Sequence, residues 1–346
     1  MSDSPGVNPP DGVTVIPKQY FDRLDPEYRA FILSQPEVSW TPLHKIGWNP
    51  DIRNTPKTSI PGMAEPVAVG STNRFDLGRF SILALTPEGQ APPNGWPVFI
   101  HAHGGGWIIG DDRTEESLIT RTCVDVKCIV ISVDYRLAPE NPFPAALEDV
   151  WDTLLWVRKE GPSKLNVNRN RIAVGGYSAG GCLAAIVSQR AALSQPPIPI
   201  VGQVLQMPCV DVTPTDDPES WTYSMREYAE VPGLWTQDVL FSRDMYIPNV
   251  LDRTHPDASP LLQARDEAFK NLAPAWISVA ELDTIRAEGE NYTKKLQEKG
   301  VPVKLKTYFG AAHLTLRADG VSTFYNKPQH HTYHDPFFRF VKSHEE

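Results

Sequence analysis

The stretch Arg171-Ile172-Ala173-Val174-Gly175-Gly176-Tyr177-Ser178-Ala179-Gly180-Gly181 decides how the rest of the chain is read. A short apolar run, Ile172 to Val174, meets glycines, then a serine inside G-x-S-x-G (Gly176, Ser178, Gly180), then a helix-forming run from Cys182 to Gln189. That order is strand, sharp turn, helix. In such a turn the serine takes a strained conformation that lifts its hydroxyl above the sheet edge, and the flanking glycines let strand and helix approach without a side-chain clash. Ser178 is therefore a nucleophile candidate. A glycine-rich turn opening an ordinary helix has the same local pattern, so company elsewhere in the chain must decide.

That company begins at His101-Ala102-His103-Gly104-Gly105-Gly106-Trp107, directly after the apolar run Val98-Phe99-Ile100. Three glycines past a strand end expose backbone N–H groups, which suits a loop that must hydrogen-bond a developing negative charge. A purely structural glycine turn is the alternative. A nucleotide loop is not, because G-x-G-x-x-G needs a glycine where Ile109 stands and no G-K-[ST] follows.

Three blocks in order now carry a resemblance: His103-Gly104-Gly105-Gly106-Trp107, Asp134-Tyr135-Arg136-Leu137-Ala138-Pro139-Glu140 and Gly176-Tyr177-Ser178-Ala179-Gly180-Gly181. From about residue 75 onward the chain resembles the hormone-sensitive-lipase-like carboxylesterases of the α/β-hydrolase superfamily. The resemblance implies an oxyanion hole built from the run Gly104, Gly105 and Gly106 with Ala179, the donors being the N–H groups of Gly105, Gly106 and Ala179. Tyr177 departs from the family pattern, which usually has an acidic residue there.

The bounds of the chain agree. Its 346 residues suffice for one large α/β domain with an insertion or for two smaller domains, and the order of elements favours the first. With 41% apolar and 22% charged residues it has a globular composition, and no apolar run approaches the roughly 20 residues of a membrane span. Against 33 Lys and Arg stand 42 Asp and Glu, a net charge of −9, so no broad basic field draws nucleic acid or anionic lipid. The first dozen residues are polar and lack the basic and apolar regions of a secretion signal, which predicts a cytoplasmic protein. Its four cysteines, Cys123, Cys128, Cys182 and Cys209, lack C-x-x-C spacing and are expected to be reduced. Cys182, four residues past Ser178, reads as a small buried apolar residue that could also fill space under the nucleophile.

Along the chain, residues 1 to 65 are rich in proline and aromatics without strand alternation, and two short helices are predicted over 17–24 and 26–34. Such a segment cannot form a core alone. The resemblance implies that it forms part of a cap over the active site; a tail that wraps the domain for stability is the alternative. From Arg79 the alternation is regular: strands at 80–85, 98–101, 129–134, 172–175, 201–206, 275–280 and 303–309, with helices at 115–125, 145–159, after Ser178, at 288–299 and at 333–342. This pattern predicts an α/β fold, a mostly parallel central sheet with helices on both faces and catalytic groups at the carboxyl ends of the strands. Between 207 and 272 the alternation stops for far longer than an ordinary connection of about 4 to 6 residues, so a helical insertion completing the cap is expected. Its aromatics Trp221, Tyr223, Trp235, Phe241 and Tyr246 become candidates for the substrate pocket, together with Trp107 and Tyr177; cap core is the alternative for each.

A serine hydroxyl needs an imidazole to accept its proton and a carboxylate to orient that imidazole, and in this fold the chain order is Ser, acid, His. Of the histidines after Ser178, only His313 lies just past a predicted strand end; His255 sits in the insertion, and His330, His331 and His334 lack a metal-binding H-E-x-x-H pattern. Asp283 follows the strand 275–280, and the 30 residues from there to His313 leave room for one helix and one strand. Glu281, two residues earlier, is the rival acid. Asp283 serving only as a helix N-cap is the competing reading. The expected activity is that of a serine carboxylic ester hydrolase working through Ser178, Asp283, His313 and an acyl-enzyme on small to medium esters, with acetyl esters or lactones of natural products open. No metal or organic cofactor is expected, and the partner is a small-molecule ester. An amidase or formamidase with the same triad, a non-catalytic receptor on the same fold, and a homodimeric state remain open.

Overall fold

The apolar runs that stand out in the sequence become neighbouring strands. In the computed structural model, which describes residues 17–34, 41–54 and 62–321, an eight-stranded sheet organises the chain. Its strands are β1 (Ser71–Asp76), β2 (Ser81–Thr86), β3 (Trp96–Ala102), β4 (Ile129–Asp134), β5 (Val167–Tyr177), β6 (Gly202–Gln206), β7 (Ala275–Leu282) and β8 (Val303–Ala312), in the spatial order β1-β2-β4-β3-β5-β6-β7-β8. β1 and β2 pair antiparallel, as do β2 and β4; every later pairing is parallel. The central strands β3 and β4 and the second half of β5, from Ile172, are buried almost throughout because both of their faces are covered.

Short helices α1 (Lys18–Phe21), α2 (Pro26–Ser34) and α3 (Leu43–Ile46) precede the sheet. Then follow α4 (Glu116–Val126), α5 (Ala145–Lys159), α6 (Gly161–Leu165) and α7 (Ala179–Leu193). After β6 come α8 (Tyr223–Glu227), α9 (Thr236–Tyr246) and α10 (Glu267–Lys270), and α11 (Arg286–Glu298) lies between β7 and β8. One face of the sheet buries Leu147, Leu183, Phe269 and Tyr292, from α5, α7, α10 and α11, in the larger core cluster. The other face meets α4 through Ile119 and Cys123. α7 is buried on nearly every side, which is why its sequence lacks a polar stripe.

Three findings depart from or extend the sequence reading. β1 is not foreseen, because its side chains are exposed at almost every position and leave no hydrophobic period. The aromatics of the N-terminal segment do find a partner: Tyr20, Tyr28 and Ile32 form a cluster with Tyr228 and Val231 and with Leu282 and Ala312 at the ends of β7 and β8. The stretch 207–272 is not separate from the domain, since Val210, Val212, Tyr246, Ile247, Ala258 and Leu272 along its length belong to the main core. The helix expected at 333–342, His330, His331 and His334, and residues 1–16, 35–40 and 55–61 of the N-terminal segment lie outside the described residues.

The Asp134–Glu140 block is anchored to α5 by charge. Asp149, fully buried on that helix, accepts the Arg136 backbone N–H at 2.9 Å and grips its guanidinium through Nε at 2.9 Å and Nη2 at 2.8 Å. Removing one partner of such a pair strands the other charge. Asp149→Ala is expected to lower unfolding free energy by about 3 kcal/mol, read as an earlier urea midpoint at unchanged slope; a midpoint within error of the parent would contradict it.

Candidate active site

Strand register brings the candidate residues together. Ala102, the last residue of β3, pairs with Gly176 in β5, so the glycine loop that follows β3 stands beside Tyr177 and Ser178. Leu282 pairs with Ala312 at the ends of β7 and β8, so the next residues, Asp283 and His313, emerge side by side. All four groups thus collect at the carboxyl edge of the sheet, where open α/β sheets place their sites.

Ser178 occupies the turn between β5 and α7 with φ +54° and ψ −116°, a strained conformation for a residue with a side chain. Its N–H donates to the Gln206 carbonyl at 2.8 Å, which holds the turn against β6. His313 Nδ1 lies 2.7 Å from Asp283 Oδ2, and both side chains are buried. Asp283 Oδ1 also accepts the Ile285 N–H at 3.0 Å in the turn before α11, but the N-cap of that helix is Ile285, so Asp283 is not its helix cap. Glu281 is spent elsewhere: its carboxylate accepts the Gly310 N–H at 2.7 Å and pairs with Arg23 at 3.0 Å. His255 stands exposed, 3.9 Å from Asp257.

The glycine loop turns through three successive positive φ angles, +122° at Gly105, +60° at Gly106 and +63° at Trp107. A Cβ on Gly105 would lie 2.1 Å from the Ile109 carbonyl oxygen, so this position admits only glycine. Among the described residues, the N–H groups of Gly105, Gly106 and Ala179 meet no acceptor, and the three residues border one cavity with Ser178 and His313. Gly104 is a correction to the sequence reading. Its N–H donates inward to Glu115 Oε1 at 3.3 Å, and the residue does not border the cavity. His103 braces the loop instead of facing the cavity: its ring stacks on Tyr135 at 4.0 Å, and the Tyr135 hydroxyl donates to the His103 carbonyl at 2.8 Å.

The cavity measures about 350 Å³ and is walled mostly by apolar side chains. Of the proposed pocket aromatics, Trp107, Tyr177 and Trp235 border it. Trp221, Tyr223, Phe241 and Tyr246 do not. The Trp221 indole N–H donates to the Thr215 carbonyl at 2.8 Å, and Tyr223 donates to Glu290 at 2.6 Å on the outer surface. Tyr246 is buried behind Trp107 in a parallel stack at 4.8 Å. Phe241 falls on the flank of α9, whose inward face is Asp238, Val239 and Ser242, continuing from Trp235. That i, i+3, i+4, i+7 spacing is the signal that singles out the inward face once the helix is placed. Tyr28 and Phe31 on α2 and Leu43 and Ile46 on α3 close the cavity from the N-terminal side and are not among the pocket residues read from sequence.

Electrostatically, the frame around the cavity is buried. Burial pushes the His101 imidazole down to about 3, with His103 and Arg317 adding to the effect, so this ring is neutral. Burial likewise raises the Cys209 thiol well above its ordinary range, and neighbouring Glu288, which its sulfur meets, raises it further. Among the described residues no group of three or more His, Cys, Asp or Glu could hold a metal ion, and no helix is long and apolar enough to cross a membrane.

Comparisons with known proteins add to this geometry. The family pattern described as the alpha/beta hydrolase fold matches residues 99–317. An AB hydrolase superfamily protein of Schizosaccharomyces pombe is 37% identical over 321 residues, 89% of this chain and 92% of that protein. The carboxylic ester hydrolase LipN of Mycobacterium tuberculosis is 37% identical over 238 residues, 65% of this chain and 60% of LipN. Among solved structures, LAE6, an alpha/beta hydrolase enzyme from the metagenome of Lake Arreo, superposes with a TM-score of 0.78 at 28% identity, covering 90% of this chain and 96% of its own. An arylesterase structure gives 0.72 at 29% identity, with 86% and 94% covered.

One buried carboxyl beside the site has a measurable consequence. Glu288 Oε2 accepts the N–H groups of Val210 at 2.6 Å and Asp211 at 2.9 Å, just past β6. Burial pushes its carboxyl well above the ordinary range, Asp211 adds to this, and the two N–H groups and the Cys209 thiol oppose it. The folded protein therefore binds this proton more tightly than the unfolded chain, and the group's contribution to stability falls as pH rises above the unfolded carboxyl value. Glu288→Gln can still accept both N–H bonds but cannot ionise. Its Tm relative to the parent is expected to improve between about pH 5 and about pH 8; a difference that stays constant or worsens would refute the assignment.

Proposed function

The chain belongs to the α/β hydrolase fold family and is a carboxylesterase-type hydrolase, and on that premise we propose that it cleaves carboxylic esters through Ser178, His313 and Asp283 by way of an acyl-enzyme. One observation carries the reading: a serine held at positive φ, a His–Asp pair 2.7 Å apart and three acceptor-free N–H groups border or adjoin the same apolar cavity. The three sequence blocks that resemble hormone-sensitive-lipase-like esterases agree with it.

In the proposed reaction Ser178 Oγ attacks the ester carbonyl while His313 Nε2 accepts its proton, and the N–H groups of Gly105, Gly106 and Ala179 receive the oxyanion. Asp283 keeps the Nδ1–H tautomer and stabilises the imidazolium. Collapse breaks the bond to the alcohol, which leaves with the proton from His313. Water then attacks the acyl-enzyme, gives its proton to His313, and the acid departs as Ser178 regains its hydrogen. We read the segments 1–65 and 207–272 as contributing the cap, since their residues Tyr28, Phe31, Trp235 and Val239 border the cavity. At about 350 Å³ the cavity is at the small end of ligand pockets, which span about 300 to 1,000 Å³, and this supports small to medium acyl and alkyl groups as substrates.

An acyl-chain series of p-nitrophenyl esters with matched anilides tests the reading and separates ester from amide preference. Ser178→Ala should lower kcat by on the order of a millionfold and abolish fluorophosphonate labelling. Asp283→Asn should lower it by about 10³ to 10⁴, while Glu281→Gln changes it far less because that carboxylate faces Gly310 and Arg23. The reverse ranking would transfer the acid role to Glu281. For the parent, kcat/KM should decline towards acid pH, since protonated imidazole cannot accept the serine proton; a flat profile would count against His313 as base.

A further inference from the structure

Tyr177 stands outside the proposed triad, yet it touches the parts that must stay in register. It is the last residue of β5, directly before Ser178. Its hydroxyl donates to the backbone carbonyl of His313. Its ring stands edge-on to the His313 imidazole, with centroids 5.5 Å apart and planes at 74°. The Arg317 guanidinium lies over the same ring, 5.8 Å from its centroid. Arg317 Nε in turn sits 3.4 Å from Glu115 Oε1, the oxygen that accepts the Gly104 N–H.

We propose that Tyr177 is a positioning residue for His313, a role that rests on reading His313 as the base. Asp283 fixes which way the imidazole ring faces, but a single bond at Nδ1 does not fix the backbone that carries the ring. His313 begins the turn after β8, outside the sheet ladder that holds Ala312. The Tyr177 hydroxyl supplies the missing restraint by holding the His313 carbonyl to the residue that precedes the nucleophile. Base and nucleophile are then tied to one point at the end of β5. The tether extends further, because Arg317 and Glu115 connect the turn after His313 to the first glycine of the loop after β3. Burial keeps the phenol proton in place, with Arg317 opposing and Asp283 and Glu115 reinforcing, so the hydroxyl is a donor throughout the working range. Misplacing a reacting group by about 1 Å can cost on the order of 10² in rate, so a loosened turn is visible in turnover.

Tyr177→Phe removes only the hydroxyl. For p-nitrophenyl acetate, kcat is expected to fall about tenfold, the effect of one lost hydrogen bond, with KM changed less than about twofold and fluorophosphonate labelling slowed in proportion. A readout independent of turnover is the low-field proton resonance of the His313–Asp283 hydrogen bond, which should broaden or shift in the variant. Tyr177→p-aminophenylalanine, which keeps a donor at the same place, should restore both and covers the case in which the phenylalanine variant does not fold. A folded Tyr177→Phe protein with the parent's kcat, or with an unchanged resonance, overturns the proposal even if its Tm falls. If the parent itself neither hydrolyses esters nor labels at Ser178, the proposed function fails, and the resonance still reports on the tether.

Discussion

Everything at the carboxyl edge of the sheet depends on how closely the start of α7 can approach the end of β3. A Cβ on Gly180 would lie 2.0 Å from the Ala102 carbonyl oxygen, and one on Gly176 would lie 2.4 Å from the same atom. Neither distance is tolerable for real atoms, so the absence of two methyl groups sets the position of the helix. Once α7 sits that close, the chain between it and β5 has no room for a relaxed turn, and Ser178 takes φ +54°. The same contact sets the exit of β3 next to the exit of β5, which is why the glycine loop and the serine meet. On the other side, register between β7 and β8 does for Asp283 and His313 what the glycines do for Ser178.

This explains which parts of the structure are legible in the sequence. Continuous apolar runs become buried parallel strands, and residues just past strand ends become candidates for the site, because a parallel sheet delivers them all to one edge. That rule, together with the G-x-S-x-G motif and the Ser, acid, His chain order, singles out Ser178, Asp283 and His313 as candidates. What escapes it is anything whose direction depends on local rotation. β1 carries no burial signal because it lies at the sheet margin with its side chains in solvent. Trp235 borders the cavity and Phe241 does not, although both are aromatics of one insertion, because six residues along a helix turn the side chain well away from the inward face. Gly104 is chemically identical to Gly105, and only the path of the loop decides that one N–H meets Glu115 while the other meets the cavity.

Besides apolar anchors such as Trp107, Tyr135 and Val210, carboxyl groups hold the chain at this edge through its backbone. Glu288 grips the N–H groups of Val210 and Asp211 after β6, Glu115 that of Gly104 after β3, Glu281 that of Gly310 before His313, and Asp149 that of Arg136 after β4. A carboxyl group suits the task because its two oxygens can accept several backbone donors at once. Desolvating such a group opposes folding, yet once it is buried its removal leaves unpaired backbone donors, so the restraint is stiff.

Placing these charges behind the loops has a consequence for the cavity itself. Asp238, the one acidic side chain at its border among the described residues, is already engaged, with the His44 N–H at 2.9 Å, the His44 ring at 2.7 Å and the Trp235 N–H at 3.2 Å. Arg317 is turned towards Glu115 and the Tyr177 ring. The space that remains is bounded mostly by aromatic and aliphatic groups, with Thr41, Ser178, Ser242, His313 and the N–H groups of the glycine loop as polar members of its border. A charged ligand would have to shed its hydration without compensation there, whereas a neutral carbonyl compound can offer an oxygen to those N–H groups and bury its alkyl or aryl parts. On the ester-cleaving reading proposed above, a cavity whose bordering charges are already engaged favours neutral esters by desolvation, and leaves discrimination among them to the shape of the wall made by α2, α3 and α9.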